Sequence, residues 1–459
     1  MMKIFNSLTR QKQNFKPLNK GSIDMYICGM TVYDDCHLGH ARTFVAFDMI
    51  VRYLRYKGFT VNYVRNITDV DDKIIARARE QGLEPHYLTA NYIKRMHEDF
   101  LSLGMIEPDF EPKATKHIPD IINLISNLIS KDYAYYNDGN VYFSVKSFSQ
   151  YGKLSKRNVD DMEAGARVDV DLLKRNPADF ILWKKDNNDT LKWDSPWGKG
   201  RPGWHIECSA MSMKNFGDNF DIHGGGSDLK FPHHENEIAQ SECSTGKPFA
   251  SYWMHTGPLR VNNEKMSKSL DNFFTVRSVL EFYHPEVIRF FLLSSHYRSP
   301  LNYDLNQLDE AKVSLERLYG ALRGLKPIIL KKKSAYFKKF ELAMDNDFNT
   351  PESLAILFDI AREVNILKLK DSKAARSLAS ELLLLAEPLG LLKLNPDVFY
   401  QDLPLKLDIS EEEIIDLINK RDLARENKRF EEADAIRVDL EDKGVLLDDR
   451  LEGTIWKRK

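Results

Sequence analysis

Two short motifs in this chain carry side chains that could bind the phosphates of a nucleotide. The motif HLGH, residues 37–40, supplies two imidazoles and a glycine directly after the strand-like run YICGMTVY. A helix that begins there would present free backbone N–H groups to an anion. The motif KMSKS, residues 265–269, supplies the ammonium groups of Lys265 and Lys268 from a separate loop. Together the motifs predict a site for ATP, in which cationic side chains stabilise a departing pyrophosphate.

HLGH and KMSKS resemble the two signature motifs of the class I aminoacyl-tRNA synthetases. Two further stretches, residues 200–212 (GRPGWHIECSAMS) and 220–240 (FDIHGGGSDLKFPHHENEIAQ), are similar to the cysteinyl-tRNA synthetase family in particular. The similarity begins by Tyr26, passes through residues 344–359 and reaches the closing GTIW at residues 453–456. HLGH alone would be a weak signal, because so short a motif recurs by chance. Both motifs in order, around an unusual set of cysteine, histidine and glutamate residues, are specific.

This resemblance implies a reaction in two steps. The carboxylate of L-cysteine attacks the α-phosphorus of ATP, giving cysteinyl-adenylate and pyrophosphate, and the terminal ribose of tRNA(Cys) then takes the aminoacyl group. A carboxylate is already ionised at neutral pH, so the first step needs no general base. The resemblance assigns His37 and His40 to phosphate contacts in the transition state, and Lys265 and Lys268 to the triphosphate. Mg²⁺ is expected to accompany ATP and to screen the leaving group.

The glycine-rich segment HGGGSD, residues 223–228, is predicted to lie against the nucleotide. Gly225, like Gly39 of the first motif, permits close approach of the backbone, and Asp228 could hold ribose hydroxyls. Three further residues are candidates for the amino-acid pocket: Thr68, Trp204 and His223. Trp204 could equally be a core residue.

The resemblance also implies one Zn²⁺ ion, bound by Cys28, Cys208, His233 and Glu237. The chain has no CxxC pair, so these ligands must come from separate elements that only the fold brings together. His233 and Glu237 share one face of a predicted helix, four residues apart. His234 shares that face as well, three residues from Glu237, and spacing alone leaves the choice of histidine open.

Zinc would explain how the pocket separates cysteine from serine. The two amino acids differ by one atom, and an apolar pocket separates near-isosteres by only ~1–3 kcal/mol. A zinc ion lowers the pKa of the substrate thiol and bonds the thiolate, whereas a serine hydroxyl ionises far less readily and is a poorer ligand. Cys36 and Cys243, outside the zinc set, are predicted to be small buried hydrophobic residues.

Composition agrees with these assignments but does not identify a function. At 459 residues the chain should form several domains. The formal net charge of -2 means that RNA contacts must use local basic patches. Four cysteines do not make a disulfide scaffold, and polar segments interrupt the apolar runs before any could span a membrane. With no signal-like segment at the start, we expect a cytoplasmic protein, and the family habit is a monomer.

The elements that must position these residues alternate between strand and helix in the first third of the chain. Residues 26–33 and 59–67 are predicted strands, with a helix over residues 41–58 between them. This βαβ unit predicts a doubly wound parallel sheet, the Rossmann-type α/β fold. A hairpin signal at residues 135–145 and polar stretches after it indicate an insertion that splits the catalytic domain. Past Tyr303 the pattern becomes helical.

The predicted domain boundaries follow these changes of pattern. The first half of the catalytic domain spans residues 1–119, the connective insertion 120–197, the second half 198–257, the KMSKS loop and stem-contact region 258–305, the all-α anticodon-binding bundle 306–400, and a small C-terminal anticodon-recognition module 401–459. Helices are predicted to begin at Thr350 with Pro351, and at Ser410 with Glu413. Gly444 is predicted to end the last helix.

The sequence offers few candidates for contacts with tRNA. Trp456 has an aromatic face suited to base stacking, with the basic residues Lys457–Lys459 nearby for phosphates. The basic cluster within Lys331–Lys339 is better explained by a solvated helix face or linker. Two residues depart from the family pattern. Leu38 replaces the usual isoleucine, a change of equal volume, and Asp271 adds negative charge where glycine commonly follows KMSKSL.

Three alternative functions are also compatible with parts of the sequence. A ligase that joins cysteinyl-adenylate to a small amine would share the catalytic half, but it would not need the helical third. A nucleotidyltransferase with the same first motif is disfavoured by the metal set. A catalytically silent RNA-binding protein is disfavoured by the intact HLGH and KMSKS motifs. Cysteine-dependent pyrophosphate exchange, followed by charging of tRNA, separates all of them.

Overall fold

The computed structural model describes most of the chain. Its described residues are 1–157, 173–186, 191–261, 264–265, 274–330, 333–402, 409–450 and 453–458. They divide into two compact units. The first unit comprises residues 1–276, 295–303 and 340–353, and the second unit comprises residues 277–294, 304–339 and 354–459.

The strands and helices are numbered here along the described chain. Up to residue 265 they are β1 (Lys3–Asn6), β2 (Gln11–Asn14), β3 (Ser22–Ile27), α1 (Leu38–Tyr56), β4 (Thr60–Arg65), α2 (Asp72–Gln81), α3 (Pro85–Ser102), α4 (Ile118–Ser130), β5 (Ala134–Asn137), β6 (Asn140–Phe143), β7 (Phe180–Lys185), β8 (Gly200–Pro202), α5 (Trp204–Phe216), β9 (Phe220–Gly226), α6 (His233–Thr245), β10 (Ala250–Thr256), β11 (Leu259–Val261) and β12 (Glu264–Lys265). Beyond residue 274 they are α7 (Val276–Leu280), α8 (Pro285–Leu293), β13 (Leu301–Tyr303), α9 (Leu305–Leu322), α10 (Ala335–Met344), α11 (Thr350–Lys368), α12 (Ser372–Ala386), α13 (Pro396–Gln401), α14 (Glu411–Glu426), α15 (Phe430–Asp442), β14 (Val445–Arg450) and β15 (Gly453–Arg458).

A parallel sheet with the strand order β10-β9-β3-β4 forms the centre of the first unit. Strand β3 pairs with β4 on one side and with β9 on the other, both in parallel. This arrangement confirms the predicted α/β fold with a doubly wound sheet. The chain winds outward from β3 in one direction and from β9 in the other, so the carboxyl ends of these two strands flank the switch point where such sheets bind ligands.

The predicted strand over residues 26–33 is wrong in its limits. Strand β3 begins earlier, at Ser22, and ends at Ile27. The chain leaves the sheet at Gly29, where a Cβ atom would lie 1.6 Å from the carbonyl oxygen of Asn66. Cys28 still donates its N–H to the Gly224 carbonyl at 3.0 Å, so its side chain lies at the carboxyl end of the sheet.

Helix α1 and strand β4 follow the predicted order. The helix packs on the sheet at Gly224, where an added Cβ atom would lie 2.4 Å from the ring of Phe47. Strand β4 then carries the chain back beside β3, with Ser22 opposite Thr60. The predicted βαβ unit is therefore confirmed, and it leaves the amino-terminal end of α1 beside the switch point.

A second, antiparallel sheet in the first unit has the strand order β5-β6-β7-β8. The hairpin predicted at residues 135–145 is confirmed by the pairing of β5 with β6. Asp138 and Gly139 make its turn with φ angles of 46° and 83°, as a tight hairpin turn requires. Helix α4 covers this sheet, and Ile125 packs with Val141 and Trp183 in its core.

The second unit is mostly helical among its described residues. Its last part has two helices, α14 and α15, packed with the hairpin of β14 and β15. Ser410 and Glu413 form the predicted capping box at the start of α14. Gly444, with a φ angle of 80°, follows α15 as predicted. Among the described helices of both units, none combines the length and apolar character needed to cross a membrane.

The expectation that Trp456 stacks on tRNA bases is wrong. Its side chain is 6% exposed and belongs to an apolar cluster with Ile414, Leu440 and Leu447. An indole in that position stabilises the small module by burial of its large apolar surface. The aromatic face is therefore covered by protein.

Candidate metal centre and nucleotide site

Four side chains from three elements meet at the carboxyl end of the parallel sheet. Cys28 follows β3, Cys208 lies on α5, and His233 and Glu237 lie one turn apart on α6. One possible ligand atom from each lies within 4.8 Å of the other three. All four residues are buried, none more than 3% exposed. We refer to these four residues as the two-cysteine quartet.

The donor atoms of the quartet suit zinc. His233 Nε2 is 3.1 Å from Glu237 Oε1, and Cys28 Sγ is 3.4 Å from the same oxygen. Cys208 Sγ is 3.7 Å from the Oδ1 atom of Asn66. Two sulfurs, one imidazole nitrogen and one carboxylate oxygen are a set from which zinc draws its ligands. The residues present therefore fit the metal that the sequence predicted.

The protonation states of the quartet depend strongly on burial. Desolvation raises the pKa of Cys28 well above its usual value, and the neighbouring Cys208 and Glu237 act in the same direction. Desolvation lowers the pKa of His233 well below its usual value, so this imidazole is neutral. A neutral imidazole can offer a lone pair to a metal, and a bound cation would deprotonate the thiols.

A second group of possible ligands overlaps the first. It combines Cys28 and Glu237 with His223 and His234, and these four residues also offer ligand atoms within 4.8 Å of one another. His223 Nε2 is 2.7 Å from Glu237 Oε2. Within the described chain, the group that contains both cysteines uses His233, whereas the group that uses His234 contains one cysteine. This difference favours His233 as the ligand.

Two of the three candidates for the amino-acid pocket contact the quartet directly, and the third lies one residue further away. Trp204 is 39% exposed and its ring stacks on His233 with centroids 4.4 Å apart, so it is not a core residue. Thr68 is buried and its hydroxyl lies 3.4 Å from the amide nitrogen of Asn66. His223 contacts Glu237 through its ring.

The HLGH motif forms the first turn of α1 and the residue before it. His37 is the N-cap, and its Nδ1 atom accepts the backbone N–H of His40 at 3.2 Å. The two imidazole rings stack with centroids 3.5 Å apart. The expectation of free N–H groups here needs correction, because the N–H of Leu38 donates to the Phe274 carbonyl at 3.0 Å. The histidine rings themselves are thus the better candidates for phosphate contacts.

His40 has a buried ring nitrogen that a ligand could contact. Its buried Nδ1 atom has no hydrogen-bond partner among the described residues. Desolvation lowers the pKa of His40 well below its usual value, and the nearby His37 and Lys73 lower it further. The ring is therefore neutral in the free protein, and an anionic ligand would raise its pKa again.

The glycine-rich segment has a different local role at each position. Gly225 lies against α6, because a Cβ atom there would be 3.1 Å from the ring of His234. Its lack of a side chain is thus explained by packing within the protein. Gly226 lies near α1, because a Cβ atom built on this glycine would be 3.7 Å from the Oγ1 atom of Thr43. Asp228 is exposed in a short 3₁₀ helix after β9, at the same end of the sheet as HLGH.

The KMSKS motif falls largely outside the described residues. Lys265 belongs to β12, where its backbone pairs with Arg260 of β11. Lys268 and Asp271, on which two of the expectations depend, lie outside the residues that the structure describes. Strand β11 also pairs with β13, so this small sheet fixes where the motif begins.

Two residues next to the quartet, the buried Asn66 and the half-buried His205, were missed by the sequence analysis. The Oδ1 atom of Asn66 accepts the N–H of Gly29 at 2.8 Å and lies 3.7 Å from Cys208 Sγ. His205 has its Nδ1 atom 2.9 Å from the Nδ1 atom of His233. His205 directly follows Trp204, a candidate pocket residue, and this position was the signal in the sequence that could have identified it. Asn66 carries no motif that would have identified it.

Known proteins resemble this chain over its full length. A family model described as the class I (C) catalytic domain of tRNA synthetases matches residues 14–313, and a DALR domain model matches residues 339–393. A protein of Hahella chejuensis named cysteine–tRNA ligase is 54% identical, with 100% of each chain covered. A protein of the same name from Shewanella sediminis is also 54% identical, with 100% of each covered.

Solved structures share the fold at much lower identity. Methionyl-tRNA synthetase of Mycobacterium tuberculosis, in complex with methionyl-adenylate, has a TM-score of 0.56 and 12% identity over 80% of this chain and 89% of that one. The leucyl enzyme LeuRS of Agrobacterium radiobacter K84, solved with tRNA, has a TM-score of 0.58 and 12% identity over 84% and 86%.

Proposed function

The chain belongs to the cysteine–tRNA ligases, a family of class I aminoacyl-tRNA synthetases, and we propose that it joins L-cysteine to tRNA(Cys) through cysteinyl-adenylate. The observation that carries this proposal is the buried two-cysteine quartet at the switch point of the parallel sheet. Full-length similarity to ligases that act on tRNA supports the second step, as does the DALR domain.

In this proposal Cys28, Cys208, His233 and Glu237 hold one Zn²⁺ ion. When bound, zinc supplies a soft Lewis acid that lowers the pKa of a substrate thiol and prefers the resulting thiolate to a hydroxyl. The protein contributes a buried set of ligands, and Trp204, which is 39% exposed, stacks on the ring of His233. Selection of cysteine over serine then depends on the chemistry of sulfur.

His37 and His40 contact ATP phosphates in the proposed first step. The backbone N–H of His40 donates to His37 Nδ1, so the neutral His37 ring carries its hydrogen on Nε2. That is the polarity needed to donate to a phosphate oxygen. Lys265 and Lys268 neutralise the triphosphate from the KMSKS motif, with Mg²⁺ on the leaving pyrophosphate. Gly39, Gly225 and Asp228 are retained as candidates near the nucleotide.

The helical second unit binds tRNA in this account, through the anticodon-binding bundle and the small C-terminal module proposed from the sequence. We also propose that the protein acts in the cytoplasm as a monomer. The four cysteines are free and buried, which suits a reducing compartment. A ligase for a small amine is not favoured, because it would not use the helices that the structure describes in the second unit.

The experiment that tests the proposal measures the two steps separately. Pyrophosphate exchange into ATP should depend on cysteine and should be far slower with serine. Charging of purified tRNA(Cys) should then follow with the same protein. Exchange without charging, but with transfer of cysteine to a small amine, would favour the other ligase. The absence of cysteine-dependent exchange would exclude both.

A further inference from the structure

His205 lies beside the metal centre but is not one of its proposed ligands. It is the second residue of α5, three residues before Cys208. Its Nδ1 atom is 2.9 Å from Nδ1 of His233, the histidine that α6 contributes to the quartet. His205 thus joins the two helices that supply three of the four proposed ligands.

The direction of this hydrogen bond follows from the role of His233. Nε2 of His233 faces the quartet, at 3.1 Å from Glu237 Oε1, so Nε2 is the atom available to a metal. A neutral imidazole that offers a lone pair at Nε2 carries its hydrogen at Nδ1. His233 Nδ1–H must therefore donate, and His205 Nδ1 must accept.

Aromatic neighbours hold both rings in this geometry. The edge of the Phe180 ring meets His205 at 5.8 Å and 88°. Trp204 stacks on His233 at 4.4 Å and lies 5.0 Å from the ring of His205. With both rings confined, the hydrogen bond can fix the tautomer of His233 as well as its orientation.

We propose that His205 is a positioning residue that sets the tautomer and orientation of the zinc ligand His233. This inference rests on the proposed function, because it needs zinc in the two-cysteine quartet. Hydrogen-bond partners of metal-bound histidines commonly tune metal affinity by about 10–100-fold. His205 should therefore raise the affinity for zinc and keep cysteine in reach of the metal.

The chain offers a matched control on the same helix. His234 Nδ1 contacts His255 Nε2 at 2.9 Å, which is a second histidine pair of the same length. His255 also contacts the hydroxyl of Ser7 through Nδ1 at 2.8 Å. His234 Nε2 lies 3.9 Å from Glu237 Oε1, against 3.1 Å for His233 Nε2, and the two-cysteine quartet contains His233 and not His234. His255 should therefore influence zinc much less than His205 does.

The test compares three variants by zinc affinity, measured by competition with a chelating dye on the full-length protein. His205→Phe removes the acceptor but keeps an aromatic ring, and it should weaken zinc binding by about 10–100-fold. His205→Asn places an amide oxygen near the lost Nδ1 atom, and it should restore most of the affinity. His255→Asn keeps a polar group near Ser7 but removes the partner of His234, and it should change zinc affinity by less than about threefold.

A second measurement separates positioning from general stability. The melting temperature of the metal-free protein should be the same for His205→Asn and wild type, while Co²⁺ bound to His205→Phe should show altered d–d absorption bands. If His205→Phe does not fold, His205→Gln replaces it, because its longer side chain carries the amide past the Nδ1 position, and it should weaken zinc binding similarly.

Three results would overturn the inference, and they differ in what else they imply. Unchanged zinc affinity in His205→Phe, together with zinc loss in Cys208→Ser, would reject positioning by His205 but keep the proposed function. A larger effect of His255→Asn than of His205→Phe would move the metal to the group with His223 and His234. No zinc binding by the wild-type protein would reject the zinc centre itself.

Discussion

The two-cysteine quartet of the first unit and the terminal module of the second unit bury their side chains to a similar degree, but with opposite chemistry. Cys28, Glu237 and their partners in the quartet are at most 3% exposed, and they are polar or ionisable. The module instead buries Ile414, Leu440 and Trp456, at 6% exposure or less. Its buried Arg421 pairs with Asp449 at 2.7 Å.

The difference shows how burial can indicate function. Apolar burial stabilises the module directly, by about 25 cal/mol for each Å² removed from water. Burial of polar groups without partners costs stability, so such a group needs a compensating ligand. His223 Nδ1 and His234 Nε2 are buried without a hydrogen-bond partner among the described residues. Among these residues, Nε of Arg421 in the module is unpartnered too, but that guanidinium is paired with Asp449, whereas the two histidines belong to a group of possible metal ligands. We therefore place the proposed chemistry in the first region.

The largest effect is expected from the loss of a proposed zinc ligand. Cys208→Ser should reduce bound zinc and cysteine-dependent pyrophosphate exchange together, the latter by about 10³-fold, because a metal contribution of several kcal/mol is lost. Zinc content is measured by elemental analysis. Cys243→Ser is the matched control, since Cys243 is also buried but lies outside the quartet. Full zinc content with a normal exchange rate in Cys208→Ser would reject the assignment.

Loss of a lysine from the KMSKS motif should slow the activation of cysteine and should change the affinity for cysteine much less. Lys268→Ala should slow pyrophosphate exchange by about 30- to 1,000-fold, on the scale of ~2–4 kcal/mol for a lost electrostatic donor. Its effect on the KM for cysteine should be small, because the ammonium acts on transition-state charge. Lys94→Ala, at a surface lysine, is the control. Near-normal exchange in Lys268→Ala would show that this lysine is only a surface feature.

A deletion tests whether the quartet and the terminal module have separate roles. Removal of residues from Ile409 onward should spare cysteine-dependent exchange and weaken tRNA charging by about tenfold or more, as phosphate contacts and base contacts are lost. The apolar core of the module lies entirely beyond this cut, but β15 also packs against α13, so circular dichroism must show that the remaining chain is folded. A folded truncated protein that charges tRNA at the full rate would contradict the account, as would equal loss of exchange and charging.

The smallest effect on activity is expected at Trp456. Trp456→Leu should lower the stability of the module by about 1–3 kcal/mol, because a smaller side chain replaces a buried indole. Charging should remain normal at temperatures where the module is folded. Circular dichroism and a charging assay, followed over the same temperature range, test this expectation. Lost charging in a fully folded variant would restore the base-stacking role that the burial of Trp456 argues against.

The order of elements was readable from the sequence because it depends on local patterns. The apolar spacing of α1, the capping box at Ser410 and the hairpin turn at Asp138 and Gly139 were all found. The end of β3 was not, because it is set by the close approach of Gly29 to Asn66. Such a contact between segments distant in sequence has no local signal.

The candidate site was predictable only through family resemblance. Cys28 and Cys208 are 180 residues apart, and no spacing rule would join them. His205 was missed because its contact with His233 depends on how α5 packs against α6. Trp456 was misassigned because an aromatic residue among basic ones has the same sequence pattern whether it is buried or exposed. The packing that decides between these cases is long-range.

The most direct test of the central claim is X-ray absorption at the zinc K-edge, with and without cysteine. In the zinc-bound protein without cysteine, we expect two sulfur neighbours at about 2.3 Å and two nitrogen or oxygen neighbours near 2.0–2.1 Å. Addition of cysteine should raise the number of sulfur neighbours to three, whereas serine should leave it unchanged. A sulfur count that stays the same when cysteine binds would contradict selection of the substrate by the metal.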